Sequence, residues 1–333
     1  MDMQSSEQAW ITLGAALDHA VSWGAAPGQC HLETVTLPPV LDEGMVLRLL
    51  CTGALREGQS VDLASGAVWE VSSVQEKSKY VPGQRVWLHP APPCGICPAC
   101  LAGCAVSCRD SHRQTAFPGW MSSVRVLHPW AVRRGVVPVP STVGPDLFTL
   151  LVPMARAMRV RRTISRRDRV LVVGNGIQAL LVGAALDGPG RRALVNPNGD
   201  LQNVGSFGFQ HSGTGLEPMR EALQGEPDLV VVVDGSADLL EAAVHSAGLG
   251  TTVVAMSSVP AGDRFSQLWE KQTTLMFQRG IAPEDLVPAR NRIVEIARTL
   301  DAVPRSVVAP ELWEGRETLE ALWTVIESCA PSC

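Results

Sequence analysis

Cys94, Cys97, Cys100 and Cys108 fall inside the stretch CGICPACLAGCAVSC, with C-x2-C-x2-C-x7-C spacing. Four thiolates that close together in the chain can converge on one tetrahedral ion. An all-sulfur, four-coordinate site of this kind favours Zn²⁺, leaves no position for water and serves structure rather than chemistry. A disulfide cluster is the other reading of the same residues. Cys104 is a fifth cysteine in the lobe; two C-x2-C steps followed by a longer one single out Cys108 instead.

A second segment is built for a different ligand. Arg169 to Leu181 reads RVLVVGNGIQALL, an apolar run entering Gly174-Asn175-Gly176-Ile177-Gln178-Ala179. This is G-x-G-x-x-A placed after a predicted strand and at the start of a predicted helix. The first glycine permits a tight turn, the second lets backbone approach a pyrophosphate, and small Ala179 lets the helix pack against the sheet. The N–H groups at the start of that helix then point at the phosphates.

With the cysteine lobe roughly seventy residues upstream of this turn, the chain resembles the zinc-containing medium-chain dehydrogenase/reductase superfamily, the group of alcohol, threonine and sorbitol dehydrogenases. GMVLRLL at Gly44–Leu50 is similar to that family's GEVLVRV, and Val81-Pro82-Gly83-Gln84-Arg85-Val86 to its VGDRV turn. Asp228 to Met256 resembles its fourth and fifth Rossmann strands with the helix between them. The resemblance spans nearly the whole chain. It implies an α/β fold: a Rossmann-type doubly wound parallel sheet plus a mostly β GroES-like domain. Residues 1–150 would form the GroES-like domain, 151–284 the dinucleotide-binding domain, and 285–333 a return that completes the first. It also implies a structural zinc, NADP or NAD as cofactor, a small-molecule substrate and a homodimer or homotetramer.

The elements that must position these segments are legible in outline. The first 150 residues carry short β-type runs such as MVLRLL, AVWEVSSV and RVWLH, separated by Pro and Gly turns. From Asp146 the pattern changes. A helix is predicted over LFTLLVPMARAMRV with Asp146 as its cap, followed by strands at Val170–Val173, Ala193–Val195, Leu229–Val233 and Thr252–Met256 that alternate with helices. Seven arginines between Arg156 and Arg169 read as a solvated helix end and loop, with a phosphorylated cofactor, acidic substrate or partner subunit as the alternative. A net charge of −5 gives no reason to expect nucleic acid as a partner. The N-terminal residues lack the basic and apolar regions of a signal peptide, and no apolar run is long enough for a bilayer. Nine cysteines, five of them in one lobe, suit a reducing compartment. These points predict a soluble, cytoplasmic protein with no membrane or nucleic-acid partner.

Two departures from the family pattern bear on function. The resemblance implies a second, catalytic zinc held by a Cys in C-x-T/S-D, a His in G-H-E, and a Cys or Glu before the Rossmann domain. Here Cys51 remains, but Thr52-Gly53 replaces the relay, Asp62–Val68 has no histidine, and Val152-Pro153 stands where sorbitol-type enzymes have Glu-Pro. One ligand in three cannot hold a catalytic zinc. Cys30, His31, His89 and His112 offer no evident replacement set, since neighbours on a strand face opposite ways. The second departure is at the end of the second Rossmann strand. An NAD-preferring domain has Asp or Glu there to accept from the ribose 2′-OH, and this chain has Asn196, with no Lys or Arg close behind it. NAD and NADP both stay open, as does loss of the cofactor.

Two functions follow as expectations. One is a zinc-independent oxidoreductase acting on an activated C=C, C=N or carbonyl, with Cys51, Thr52, Ser65 and Ser122 as weak catalytic candidates. The other is a catalytically inactive binding, scaffold or regulatory protein on the same fold.

Overall fold

The structure is a computed structural model that describes residues 19–23, 30–34, 44–57, 60–74, 78–89, 92–101, 107–109, 124–164, 168–199, 201–233, 236–256, 271–278, 280–308 and 323–327. The chain divides into two compact units: Met1–Ala54, Leu63–Leu150 and Arg305–Cys333 form one, and Leu55–Asp62 with Leu151–Pro304 form the other. The first unit therefore resumes at Arg305, later than residue 285, because residues 285–304 group with the second unit.

In the first unit β1 (His19–Trp23) and β2 (Cys30–Thr34) make a two-stranded antiparallel sheet. A larger sheet is built on β3 (Met45–Glu57) and β4 (Ser60–Val74), whose residues between Leu55 and Asp62 group with the second unit, and on β5 (Arg85–Leu88), β6 (Val124–Leu127) and β7 (Val136–Pro138). Strand β6 pairs with β3, and β5 pairs antiparallel with both β4 and β7. Alternate residues Met45, Leu47 and Leu49 on β3, Ala67, Trp69 and Val71 on β4, and Val86 and Leu88 on β5 form one core. That is the period-two burial of a half-buried strand. A single helical turn, α1 (Pro98–Leu101), lies in the cysteine lobe, and α2 (Pro129–Gly135) adds Ala131 and Val132 to the core.

The second unit opens with α3 (Leu151–Thr163). The helix predicted from Asp146 begins instead as a 3₁₀ segment, Asp146–Leu150. The Asp146 carboxylate pairs with Arg305 at 2.7 Å rather than capping, and the Thr149 hydroxyl donates to the Asp146 carbonyl at 2.6 Å. After α3 come β8 (Arg169–Val173), α4 (Gly176–Ala185), β9 (Arg191–Val195), β10 (His211–Gly213), α5 (Leu216–Ala222), β11 (Leu229–Val232), α6 (Ala237–Ser246), β12 (Thr252–Ala255), β13 (Thr274–Phe277), α7 (Pro283–Glu295) and α8 (Ala297–Asp301). The sheet order is β10-β9-β8-β11-β12-β13, all parallel. Counted along this unit, the order is 3-2-1-4-5-6, the doubly wound dinucleotide-binding arrangement. Its central strands are apolar throughout: Val170–Val173 and Leu229–Val232 are fully buried, as a sheet covered on both faces requires. The edge strands β10 and β13 are short and partly exposed; β10 reads HSG and has no apolar run, whereas β13 reads TLMF. Returning to the first unit, β14 (Ser306–Val308) pairs parallel with β15 (Thr324–Glu327), and β15 pairs antiparallel with β3. Among the described residues no helix is long and apolar enough to cross a membrane.

Candidate functional site: a cysteine lobe and a glycine turn

The cysteine lobe follows β5. The Sγ atoms of Cys94, Cys97, Cys100 and Cys108 all lie within 4.8 Å of one another. Cys94 Sγ stands 3.9 Å from Cys100 Sγ, and Cys97 Sγ 3.9 Å from Cys108 Sγ. Four sulfurs at tetrahedral corners about 2.3 Å from a common ion stand about 3.8 Å apart. A disulfide needs about 2.05 Å, and all four cysteines are free. The spacing therefore fits a metal and not a bridged cluster. Two backbone N–H groups point at sulfur: Cys94 N donates to Cys108 Sγ at 3.2 Å and Cys97 N to Cys94 Sγ at 3.3 Å. Desolvation, reinforced by the three neighbouring thiols, pushes Cys100 up to about 12, while a backbone hydrogen bond at Gly95 pulls it down. Thiolate is the form that binds a metal, and a divalent cation held there would stabilise it. Cys104 lies outside the described residues.

The glycine turn sits at the carboxyl end of β8, in the middle of the parallel sheet. Gly174 has φ +134° and Gly176 φ +73°, both in the region that side chains disfavour. Asn175 is the extended N-cap of α4, and its side chain makes no cap bond to the first N–H groups of the helix. Ala179 and Ile177 are buried against the sheet. Gln178 Nε2 donates to the Pro153 carbonyl at 3.1 Å, tying α4 to α3. Farther along α4, a Cβ on Gly183 would sit 2.7 Å from the Phe207 carbonyl oxygen and closer still to the Phe209 ring, so the helix is packed tight on that side. The far end of α4 is held by cations. Arg161, Arg192 and Arg292 donate to the carbonyls of Ala185, Leu186 and Ala184 at 3.3, 3.2 and 3.0 Å, placing positive charge at the helix's carboxyl end.

Asn196 follows β9 and is 3% exposed. Its Oδ1 accepts from Asn198 N at 3.2 Å, and Asn175 Oδ1 reaches the same N–H at 3.4 Å. Asn175 and Asn196 are thus brought to one place, where the glycine turn meets the end of β9. The sequence singled out both asparagines, but not the Asn198 amide that links them; an Asx turn at N-P-N was its only trace.

The arginine run resolves largely into internal ties. Arg162 pairs with Glu284 at 3.2 Å and Asp285 at 2.9 Å, and Arg169 with Asp228 at 3.5 Å. Arg166 and Arg167 lie outside the described residues.

The weak catalytic candidates separate. Cys51 is 2% exposed; burial above all, with the Asp146 and Glu327 carboxylates adding to it, pushes its thiol far up. Without a cation beside it the thiol is protonated at neutral pH and poorly suited to act as a nucleophile. Thr52 is fully buried, its hydroxyl donating to the Gly66 carbonyl at 3.2 Å. Gly66, in the segment without histidine, has φ +137° and packs against the Trp87 indole and the Thr149 carbonyl. Val152 is a buried residue of α3. The Ser65 side chain, Ser122, His112 and the side chains of Cys30 and His31 lie outside what is described. His89 is 7% exposed, and burial lowers its pKa to about 4.

Comparison of the sequence with models of protein families gives no match, and comparison with curated proteins gives none. Comparison of the structure gives several. An alcohol dehydrogenase of Thermotoga maritima superposes with a TM-score of 0.75 at 14% identity, covering 93% of this chain and 99% of its own. A zinc-binding dehydrogenase of Sinorhizobium meliloti, so described and bound to NADP, gives 0.72 at 14% identity over 93% and 99%. An alcohol dehydrogenase of Escherichia coli, complexed with NADH, gives 0.72 at 14% identity over 93% and 99%. With the 3-2-1-4-5-6 parallel sheet, the glycine turn and the four-cysteine lobe, the chain has the fold of the zinc-containing medium-chain dehydrogenases/reductases.

Proposed function

We propose that the chain is a nicotinamide-dependent oxidoreductase that carries one structural zinc in the cysteine lobe and works without a zinc at its reacting centre. The observation that carries this reading is the turn at Gly174 and Gly176. Both glycines keep positive φ at the carboxyl end of the central strand, and the first N–H groups of α4 are left without a side-chain cap. A turn that only connected a strand to a helix would need the first glycine but not the second. The solved structures of like fold that hold NADP and NADH support a nicotinamide cofactor. Bound there, such a cofactor would supply the hydride. Gly174, Gly176 and the α4 N-terminus would hold the pyrophosphate, and Asn196 would face the adenosine ribose.

The metal-independent part rests on this chain's own groups. Cys51 is the one ligand type kept, the segment Asp62–Val68 around Gly66 has no histidine, and Val152 cannot coordinate. A substrate must then be electrophilic already: a conjugated C=C, a C=N or an activated carbonyl of a small metabolite. Simple alcohols need an alkoxide stabilised by a metal or a strong proton relay. Among the described residues β13 ends the sheet, and half-exposed Phe277 lies on it, which supports a homodimer or homotetramer.

The second reading, a binding or regulatory protein without turnover, is favoured by one observation. Neither Cys51 nor Thr52 presents a group able to move a proton. Titration with NADH and NADPH, followed by a screen of enones, imines and alcohols with and without chelator, separates the readings. Cofactor binding with chelator-insensitive enone or imine reduction supports the first, and binding without turnover supports the second. Chelator-sensitive alcohol oxidation with the structural zinc retained refutes metal independence.

A further inference from the structure

All three polar groups of Cys94 are engaged. Its N–H donates to Cys108 Sγ at 3.2 Å, its sulfur accepts from Cys97 N at 3.3 Å, and its carbonyl accepts from the Arg134 guanidinium. The first two bonds lie within the lobe. The third comes from outside it, from the last turn of α2, forty residues along the chain. Gly95 follows Cys94 with φ +73°, and a Cβ there would run into the guanidinium, with Cζ at 3.0 Å and Nη2 at 3.3 Å. The space between the Cys94–Cys97 loop and α2 is therefore filled by Arg134.

The helix that presents it is well fixed. Trp130 N donates to His128 Nδ1 at 3.2 Å at its start, and His89 N donates to the Gly135 carbonyl at 2.7 Å at its end. Ala131 and Val132 are buried in the core, and the Tyr80 hydroxyl donates to the Val136 carbonyl at 3.1 Å just beyond. Arg134 is thus a cation on a rigid mount, aimed at the backbone of a metal-binding loop. Its charge also suits the place, because four thiolates exceed one Zn²⁺ by two negative charges.

We propose that Arg134 is a positioning residue of the cysteine lobe: its guanidinium fixes the Cys94 carbonyl, and with it the Cys94–Cys97 loop, in the shape that retains the metal. This rests on the reading of the lobe as a zinc site. Groups that orient metal ligands without touching the ion commonly govern retention by about 10- to 100-fold. Arg134 acts through backbone, which puts its effect at the lower end.

The test follows zinc transfer from the purified full-length protein to a chromophoric chelator. Arg134→Gln removes the charge and the fork, Arg134→Lys keeps only the charge, and Tyr80→Phe loosens the same helix end without touching the lobe. Arg134→Gln is expected to release zinc about 10-fold faster, Arg134→Lys at an intermediate rate, and Tyr80→Phe at the wild-type rate. Release from Arg134→Gln at the wild-type rate overturns the proposal, and so does equal acceleration by Tyr80→Phe. If Arg134→Gln does not fold, wild-type release from Arg134→Lys overturns it. Wild-type protein without zinc removes the underlying zinc reading instead, and elemental analysis of that sample tells the two failures apart.

Discussion

Replacing Gly176 with alanine separates binding from folding, because the chain contains its own control. Gly176 has φ +73° at the start of α4, and Gly250 has φ +70° in the loop before β12. Both belong to the second unit. An L-residue held in this region costs about 1–2 kcal/mol. A Cβ at Gly250 meets nothing within 4 Å, so Gly250→Ala isolates that backbone cost. For a unit of this size, about 1–2 kcal/mol lowers the melting temperature by about 2–8 °C, and a domain holding about 5–15 kcal/mol stays folded. The two alanine variants should therefore melt lower by similar amounts. They should part on cofactor. At Gly176 the methyl stands where backbone must approach a pyrophosphate, and losing one or two charge-assisted hydrogen bonds at about 1.5–3 kcal/mol each weakens binding by about 10-fold to well over 1,000-fold. Gly250→Ala should bind like wild type. The assay is a fluorescence titration with NADH and NADPH, paired with thermal unfolding of both variants. Undiminished affinity in Gly176→Ala, or an equal loss in Gly250→Ala, refutes the assignment of this turn to a pyrophosphate.

The lobe should hold one zinc per chain, and Cys97→Ser should lose it; elemental analysis giving two zincs, or none in protein purified without chelator, counts against the site. Cys51, buried with its thiol pushed far up, should resist alkylation at pH 8 in the folded protein and become reactive on unfolding. Mapping of labelled peptides checks this, and rapid native labelling would mean the thiol is exposed and ionised. Burial holds His89 near pKa 4 against 6.5 in the unfolded chain, so between those values the unfolded state binds more protons. Stability should then fall by up to about 3 kcal/mol as pH drops from about 6.5 to about 4; urea midpoints should show this acid loss reduced in His89→Gln, and an unchanged profile places the titration elsewhere. Asn196→Asp should shift preference toward NAD by about 10-fold or more, because a carboxylate repels a 2′-phosphate at short range, and an unaltered ratio of NADH to NADPH affinity removes Asn196 from the ribose.

The sequence by itself determined the parts whose physics is local. Cys94, Cys97, Cys100 and Cys108 lie close enough along the chain that spacing alone brings their sulfurs together. Gly174 and Gly176 reveal a turn because only their residue type tolerates its φ. The apolar runs Val170–Val173 and Leu229–Val232 announce buried parallel strands because both faces must be covered. What depends on distant parts of the chain was decided only by the tertiary structure. Strand β10, His211–Gly213, gains its identity from its neighbour β9, because the segment HSG carries little signal of its own. Asp146 reads as a helix cap until Arg305, far along the chain, takes its carboxylate. Within the Arg156–Arg169 run, Arg162 and Arg169 find Glu284, Asp285 and Asp228 on other elements, partners that the run itself does not reveal. Cys51 and Thr52 look like candidate reactive groups in a string of letters. Burial in the β-sheet core leaves one protonated and turns the other's hydroxyl to Gly66, and burial is a property of packing rather than of residue type.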